Sequence, residues 1–200
     1  MAILNYQKAQ FLLSVADLSQ LPPDEGTEIA IIGRSNAGKS SVLNQLTQNK
    51  KLARVSKTPG RTQLINLFGL DETRRIADLP GYGYAKVPPS MKQKWKVLID
   101  GYLTTRKCLQ GLVLVMDIRH PLKEFDCLML DWCNQSQLAV HVLLNKADKL
   151  SQAAASTTER EVKKTIKEYG DKISIQTFSA LKGKRVKELR EKLDQWFEVP

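Results

Sequence analysis

The sequence predicts an α/β domain built on a mixed, mostly parallel sheet of six strands with helices on both faces. Short β-rich apolar runs alternate with helical patterns along the chain, the form that βαβ units take in sequence. Two of these runs, Gly111 to Ile118 (GLVLVMDI) and Leu138 to Leu144 (LAVHVLL), are apolar almost throughout, as strands buried on both faces must be. The length of 200 residues suits one domain with one sizeable core.

Taken in order, residues 1–26 read as an N-terminal extension packed on the domain that occupies residues 27–200. Glu28 to Gly33 (EIAIIG) is a compact apolar strand ending in glycine, and Lys39 to Gln48 follows as a helix. Gln63 to Leu70 and Arg74 to Leu79 flank an Asp71-Glu72 turn and are expected to pair as an antiparallel hairpin. From Met91 to Arg106 the apolar residues Met91, Trp95, Leu98, Ile99, Tyr102 and Leu103 recur at helical spacing. Ser90 before them, with Gln93 three residues on, has the pattern of a capping box. After the strand Gly111 to Ile118 comes a helix over Phe125 to Cys133, then the strand Leu138 to Leu144. Thr158 to Tyr169 is a helix closed by Gly170. Lys172 to Phe178 alternates as a strand, and Val186 to Phe197 is an amphipathic helix. Trp95, Trp132 and Trp196 sit at helix-core spacing, whereas Tyr82 and Tyr84 belong to a Gly- and Pro-bounded loop and are expected outside the core.

Composition narrows the class. Hydrophobic content of 42% with 26% charged residues describes a globular chain and excludes a disordered one. No apolar run reaches the length of a bilayer span, and the first residues lack the basic region and cleavage site of a secretory signal. Cys108, Cys127 and Cys133 are odd in number and without CxxC spacing, which points to buried or half-buried thiols in a reducing cytoplasm. The net charge of +10 favours polyanionic partners. Between Ile31 and Leu70 lie Arg34, Lys39, Lys50, Lys51, Arg54, Lys57 and Arg61 with no acidic residue among them. A second basic stretch holds Lys86, Lys92, Lys94, Lys96, Arg106 and Lys107. Solvated helix faces also look like this, so nucleic acid and ordinary surface both remain open.

The chemistry sits in short motifs. Gly33-Arg34-Ser35-Asn36-Ala37-Gly38-Lys39-Ser40 matches G-x-x-x-x-G-K-[ST] between a strand and a helix. There, backbone N–H groups curl around phosphate oxygens and the helix start adds positive potential. Lys39 reaches the β and γ phosphates and the Ser40 hydroxyl coordinates Mg²⁺. Asn145-Lys146-Ala147-Asp148 ends a central strand, where open α/β sheets bind ligands. A carboxylate at Asp148 accepts from both N1–H and N2–H₂ of guanine, whereas adenine would present a lone pair to it. Asp78-Leu79-Pro80-Gly81 places a carboxylate at a strand tip, suited to Mg²⁺ through water, and a glycine whose N–H can meet the γ-phosphate. Thr62, in a mobile loop, supplies a second hydroxyl for Mg²⁺. Phe178-Ser179-Ala180 would close over the base. His120, beside Pro121 at a strand-to-helix turn, reads as structural.

With these motifs in this order the chain resembles the translation-factor-related P-loop GTPases. More closely, it resembles the EngB (YihA/YsxC) family of bacterial ribosome-biogenesis GTPases. GRSNAGKSSVLN (33–44), SKTPGRTQLINLF (56–68), DLPGYGYAKVP (78–88) and MDIRHPLK (116–123) carry the likeness. The resemblance implies the three-layer P-loop GTPase fold and a cytoplasmic, monomeric GTPase acting on the precursor of the large (50S) ribosomal subunit, with a role in cell division and septation. It adds Gly60, Arg61, Thr62, Gln63 and Leu64 to the GTP contacts. Asn36 matches the asparagine that binds K⁺ in related K⁺-activated enzymes, so K⁺ joins Mg²⁺ as a candidate cofactor. Ras-like enzymes place glutamine directly after D-x-x-G; here that position is Tyr82, which implies slow intrinsic hydrolysis. The rival reading is a basic RNA- or membrane-surface-binding module whose nucleotide is only structural.

Overall fold

The computed structural model describes residues 4–53, 64–83 and 89–198. Seven strands form one sheet in the order β1-β3-β4-β2-β5-β6-β7. They are β1 (Gln10–Val15), β2 (Thr27–Gly33), β3 (Ile65–Gly69), β4 (Arg74–Asp78), β5 (Leu109–Asp117), β6 (Ala139–Asn145) and β7 (Ile173–Thr177). The helices are α1 (Lys39–Thr47), α2 (Pro89–Thr105), α3 (Glu124–Gln135), α4 (Gln152–Ile166) and α5 (Val186–Trp196). The expected six strands all form. The seventh, β1, lies in the N-terminal segment and pairs antiparallel with β3 through partners such as Gln10 with Gly69 and Val15 with Ile65. Its pattern of mostly exposed residues carries no strong alternation, so only pairing to a ready edge makes it a strand.

β2, β5, β6 and β7 run parallel, and β4 is parallel to β2. β3 and β4 form the expected antiparallel hairpin. Alternation along the central strands divides the core into two layers. Ala30, Ile32, Leu112, Leu114 and Met116 face α2, α3 and α4, packing with Leu98, Tyr102, Leu130 and Val162. Ile29, Ile31, Val113 and Val115 face α1 and α5, packing with Leu43, Leu46, Leu189 and Leu193. The result is the three-layer arrangement, with both faces of the parallel strands covered.

Two local expectations are corrected. α2 starts at Pro89, so Ser90 lies inside the helix and is not its cap; proline suits a first helical turn because its missing N–H would be unpaired there anyway. α4 begins at Gln152, six residues before the expected start, because Ser151 caps it by accepting from the N–H of Ala154. The thiols of Cys108 and Cys133 are buried and that of Cys127 is half-buried, all unpaired. Trp95, Trp132 and Trp196 pack partly buried against the core, as their spacing requires. No helix among the described residues is long and apolar enough to cross a membrane.

Candidate nucleotide site

At the carboxyl end of β2 the chain leaves the sheet at Gly33, loops, and re-enters regular structure at Lys39, the first residue of α1. Two glycines of the loop are obligatory. A Cβ on Gly33 would lie 2.2 Å from the carbonyl oxygen of Val115, and one on Gly38 would lie 2.4 Å from Asn145 Nδ2. Gly38 also holds φ at 98°, a left-handed conformation that a side chain disfavours. Asn36 is left-handed too, with φ of 64°, and asparagine tolerates that region better than most residues.

Asn145 joins three of the sequence motifs. Buried to 2% exposure, it donates from Nδ2 to the carbonyl of Ala37 at 2.9 Å and accepts on Oδ1 from the N–H of Ala180 at 3.2 Å. The carbonyl of Asn36 accepts from Lys146 Nζ at 2.6 Å. The Ala147 N–H donates to the carbonyl of Phe178 at 3.0 Å, and the Ser179 hydroxyl donates to Asp148. Phosphate loop, base corner and the Phe178-Ser179-Ala180 loop are therefore one bonded unit. Phe178 is fully buried and its backbone N–H is bonded to Leu144, so it positions its neighbours. Leu79 is likewise core, which leaves its backbone alone to face the site.

Asp78 ends β4 in register with Ile31 of β2, beside the phosphate loop. Its Oδ1 is buried and has no hydrogen-bond partner among the described residues. Burial pushes its carboxyl up to about 6 against the opposing pull of the Lys39 charge. Burial lowers the Lys39 ammonium, with Asp78 acting the other way. Gly81 abuts this pair, since a Cβ there would fall 2.8 Å from Lys39 Nζ. Ser40 is half-buried in the first turn of α1, and Leu64, just before β3, is half-buried too. Gly60, Arg61, Thr62, Gln63 and Tyr84 lie outside the described residues.

Tyr82 corrects an expectation. It is core, at 3% exposure. After Asp78 the chain keeps pairing with the phosphate loop: Ser35 N–H donates to the Tyr82 carbonyl at 2.7 Å, and Tyr82 N–H to that of Gly33 at 3.4 Å. That zipper carries the ring inward, where its hydroxyl donates to Asp126 of α3. Burial first, and Asp126 second, raise the phenol far above its ordinary range. Burial raises the Asp126 carboxyl as well.

Asp117 and Arg119 were assigned no role from sequence. Asp117 pairs with Lys146 Nζ at 3.0 Å and with Arg119 Nη2 at 2.7 Å. The Arg119 guanidinium, then Lys146, hold its carboxyl well below the usual range. A usable signal existed, because Asp117 ends a central strand in register with Asn145. A cavity of about 370 Å³ opens along the outer side of the loop, between Arg34, Asn36, Asp117, Arg119, His120 and Asp126. Ser35, Ala37 and Lys146 line it as well, so it shares one wall with the phosphate loop and the Asn145–Asp148 corner.

A glycine loop running from a parallel strand into a Lys-Ser helix start, bonded to an Asn-Lys-Ala-Asp corner, defines a P-loop GTPase. A family model described as "50S ribosome-binding GTPase" matches residues 28–146, and one described as "Elongation factor Tu GTP binding domain" matches residues 101–199. The probable GTP-binding protein EngB of Coxiella burnetii (strain RSA 331 / Henzerling II) is 55% identical over 192 residues, which covers 96% of this chain and 94% of that protein. The protein of the same description from Escherichia coli O9:H4 (strain HS) is 53% identical over 197 residues, covering 98% and 94%. The chain belongs to the EngB family and is a GTP-hydrolysing enzyme. Among solved structures, a probable GTP-binding protein EngB superposes with a TM-score of 0.70 at 21% identity, covering 87% of this chain and all of that one. A variant of Aquifex aeolicus Era bound to GDP and AlF₄⁻ gives 0.68 at 22%, covering 86% and 57%. Both show the same fold.

Proposed function

We propose that the chain is a GTP-dependent switch in assembly of the large (50S) ribosomal subunit, with its part in cell division following from that work. The observation that supports it best is the corner where Asn145 ties the loop Gly33–Ser40 to Asn145–Asp148, with Asp78–Gly81 stacked against Lys39. In this reading, backbone N–H groups of residues 34–40 hold the phosphates and Lys39 neutralises their charge. Asp148 selects guanine. Gly81 meets the γ-phosphate, and residues 60–64 complete the contact. The nucleotide site so defined comprises Gly33, Arg34, Ser35, Asn36, Ala37, Gly38, Lys39, Ser40, Leu64, Asp78, Leu79, Pro80, Gly81, Asn145, Lys146, Ala147, Asp148, Phe178, Ser179 and Ala180.

The buried, unpartnered Oδ1 of Asp78 and the hydroxyl of Ser40 are hard oxygen donors of the kind Mg²⁺ takes, with Thr62 as a third. Bound there, Mg²⁺ would supply positive charge to offset that of the phosphates. Lys39 and the loop amides hold the transferred phosphoryl group in line for water. Tyr82 cannot orient that water, because its hydroxyl is committed to Asp126. Slow hydrolysis without a partner follows. K⁺ is left out of this reading, since left-handed backbone already accounts for asparagine at position 36.

The test has two arms. Asp148→Asn is expected to lose about 10- to 100-fold in GTP affinity, the scale of a charged hydrogen bond, and to gain xanthosine triphosphate binding. A variant that still prefers GTP would remove the guanine assignment. Co-sedimentation with 50S particles, in GDP, GTP and a non-hydrolysable analogue across a salt series, should favour the triphosphate forms. Equal affinity with GDP and GTP would favour the rival, a basic binding module with structural nucleotide.

A further inference from the structure

Three aromatic rings gather where the Asp78–Gly83 segment meets α2 and α3. Tyr82 and Phe125 stack with centroids 5.7 Å apart and planes 30° apart. Trp95 meets Phe125 edge-on at 6.4 Å and Tyr82 at 6.2 Å. Exposure is graded across the cluster. Tyr82 is buried, Trp95 half-buried, and Phe125 remains 44% exposed. Two rings thus hold the inner side of Phe125 while its outer surface stays in water.

The surroundings are cationic. Arg34 and Lys123 lie near enough to Asp126 to pull on its charge, and Arg34, Arg119 and His120 line the adjoining cavity. Lys94 and Lys96, both exposed, flank Trp95 on α2; Phe125 stands between the exposed Glu124 and the buried Asp126. Val97 of α2 and Leu128 of α3 are exposed as well, and an exposed ring with cations close by fits an unstacked base and its flanking phosphates. The chain's charge of +10 has the same sign preference.

We propose that Phe125 is a stacking platform for an unpaired base of single-stranded RNA, with Arg34 and Lys123 holding the adjacent phosphates. This deepens the ribosomal reading above and rests on it for the source of the RNA. The platform is also wired to the nucleotide. Trp95 Nε1 donates to the Pro80 carbonyl at 2.9 Å, and Tyr82 is bonded to Ser35 of the phosphate loop. A shift of Gly81 toward or away from a γ-phosphate therefore moves two of the three rings.

The test uses the full chain with a non-hydrolysable GTP analogue and with GDP. Binding is measured to a fluorescent 12-nucleotide single-stranded RNA and to 50S particles. Phe125→Ala is expected to weaken both by about 10-fold, Phe125→Trp to retain both, and Phe125→Leu to behave like the alanine variant, with nucleotide affinity unchanged in all three. Wild-type RNA affinity should differ between the analogue and GDP. Wild-type binding by Phe125→Ala overturns the proposal. So does equal rescue by leucine and tryptophan, or loss of 50S binding with RNA binding intact, since either marks an apolar protein contact. If the wild-type chain fails to sediment with 50S particles in any state, the ribosomal reading falls, and the RNA titration alone still decides the platform.

Discussion

The two ends of the parallel strands carry buried charge in opposite ways. At the start of β2, Glu28 is fully buried and both its carboxylate oxygens are bonded. Arg106 Nε and Nη2 reach its two oxygens at 3.0 Å each, Arg75 Nε at 3.1 Å and the Tyr102 hydroxyl at 2.5 Å. The arginines spend their remaining donors on the carbonyls of Pro22 and Glu25, which pins the N-terminal segment to the sheet. At the other end of the same sheet Asp78 is also buried, yet one of its oxygens has no partner among the described residues and its charged form is disfavoured. An unpaired buried carboxylate oxygen calls for an explanation, and a bound ion is one. The paired end holds the fold, and the unpaired end is where the proposed Mg²⁺ would bind.

The largest expected effect breaks the paired end. Glu28→Ala strands the buried Arg106 and the half-buried Arg75 and should cost about 3–5 kcal/mol in denaturant unfolding, while nucleotide affinity of the folded fraction stays near wild type. A loss under 1 kcal/mol would mean the cluster is not the anchor described. Next comes the unpaired end, where the sign reverses. The Asp78 carboxyl is raised from 3.8 to about 6, so the fold favours the protonated acid. The stability this contributes is present below pH 4 and is lost as pH rises through 6. Asp78→Asn should therefore melt higher than wild type at pH 7.5 without nucleotide, and the difference should close by pH 4. The same variant should weaken Mg²⁺-dependent GTP binding by about 10- to 100-fold, the scale seen when a metal's outer partners are removed. A variant less stable than wild type at pH 7.5 would break the contrast between the two ends.

The smallest effect sharpens the paired end. Asp24 accepts from the N–H groups of Cys108 at 2.8 Å and Lys107 at 2.9 Å, and the first of these holds its carboxyl down near 2. A depressed acid stabilises above its ordinary value and loses that contribution as pH falls toward 2. Asp24→Ala should cost about 1 kcal/mol at pH 7 and less at pH 2.5, read by urea midpoints.

Much of this was legible in the chain itself. Near-continuous apolar runs in EIAIIG and GLVLVMDI marked strands with two covered faces, and local glycine requirements marked the loop between β2 and α1. The spacing of Leu98, Ile99, Tyr102 and Leu103 identified the buried side of α2. Other features left no local trace. β1 is a strand because an edge was available, and Tyr82 is core because the chain beyond Asp78 stays zipped to Gly33 and Ser35. A loop rich in glycine and proline signals only a break in regular structure, and the direction of its side chains is set by what it lies against.

By itself, then, the sequence determined the layers of the fold, the P-loop and the Asn145–Asp148 corner, because each depends on residues close together in the chain. The partnerships of Glu28 with Arg106, Asp126 with Tyr82 and Asp117 with Lys146 were decided only in three dimensions. They join residues 29 to 78 positions apart, and no local periodicity records which buried charge will find a partner and which will be left for a ligand.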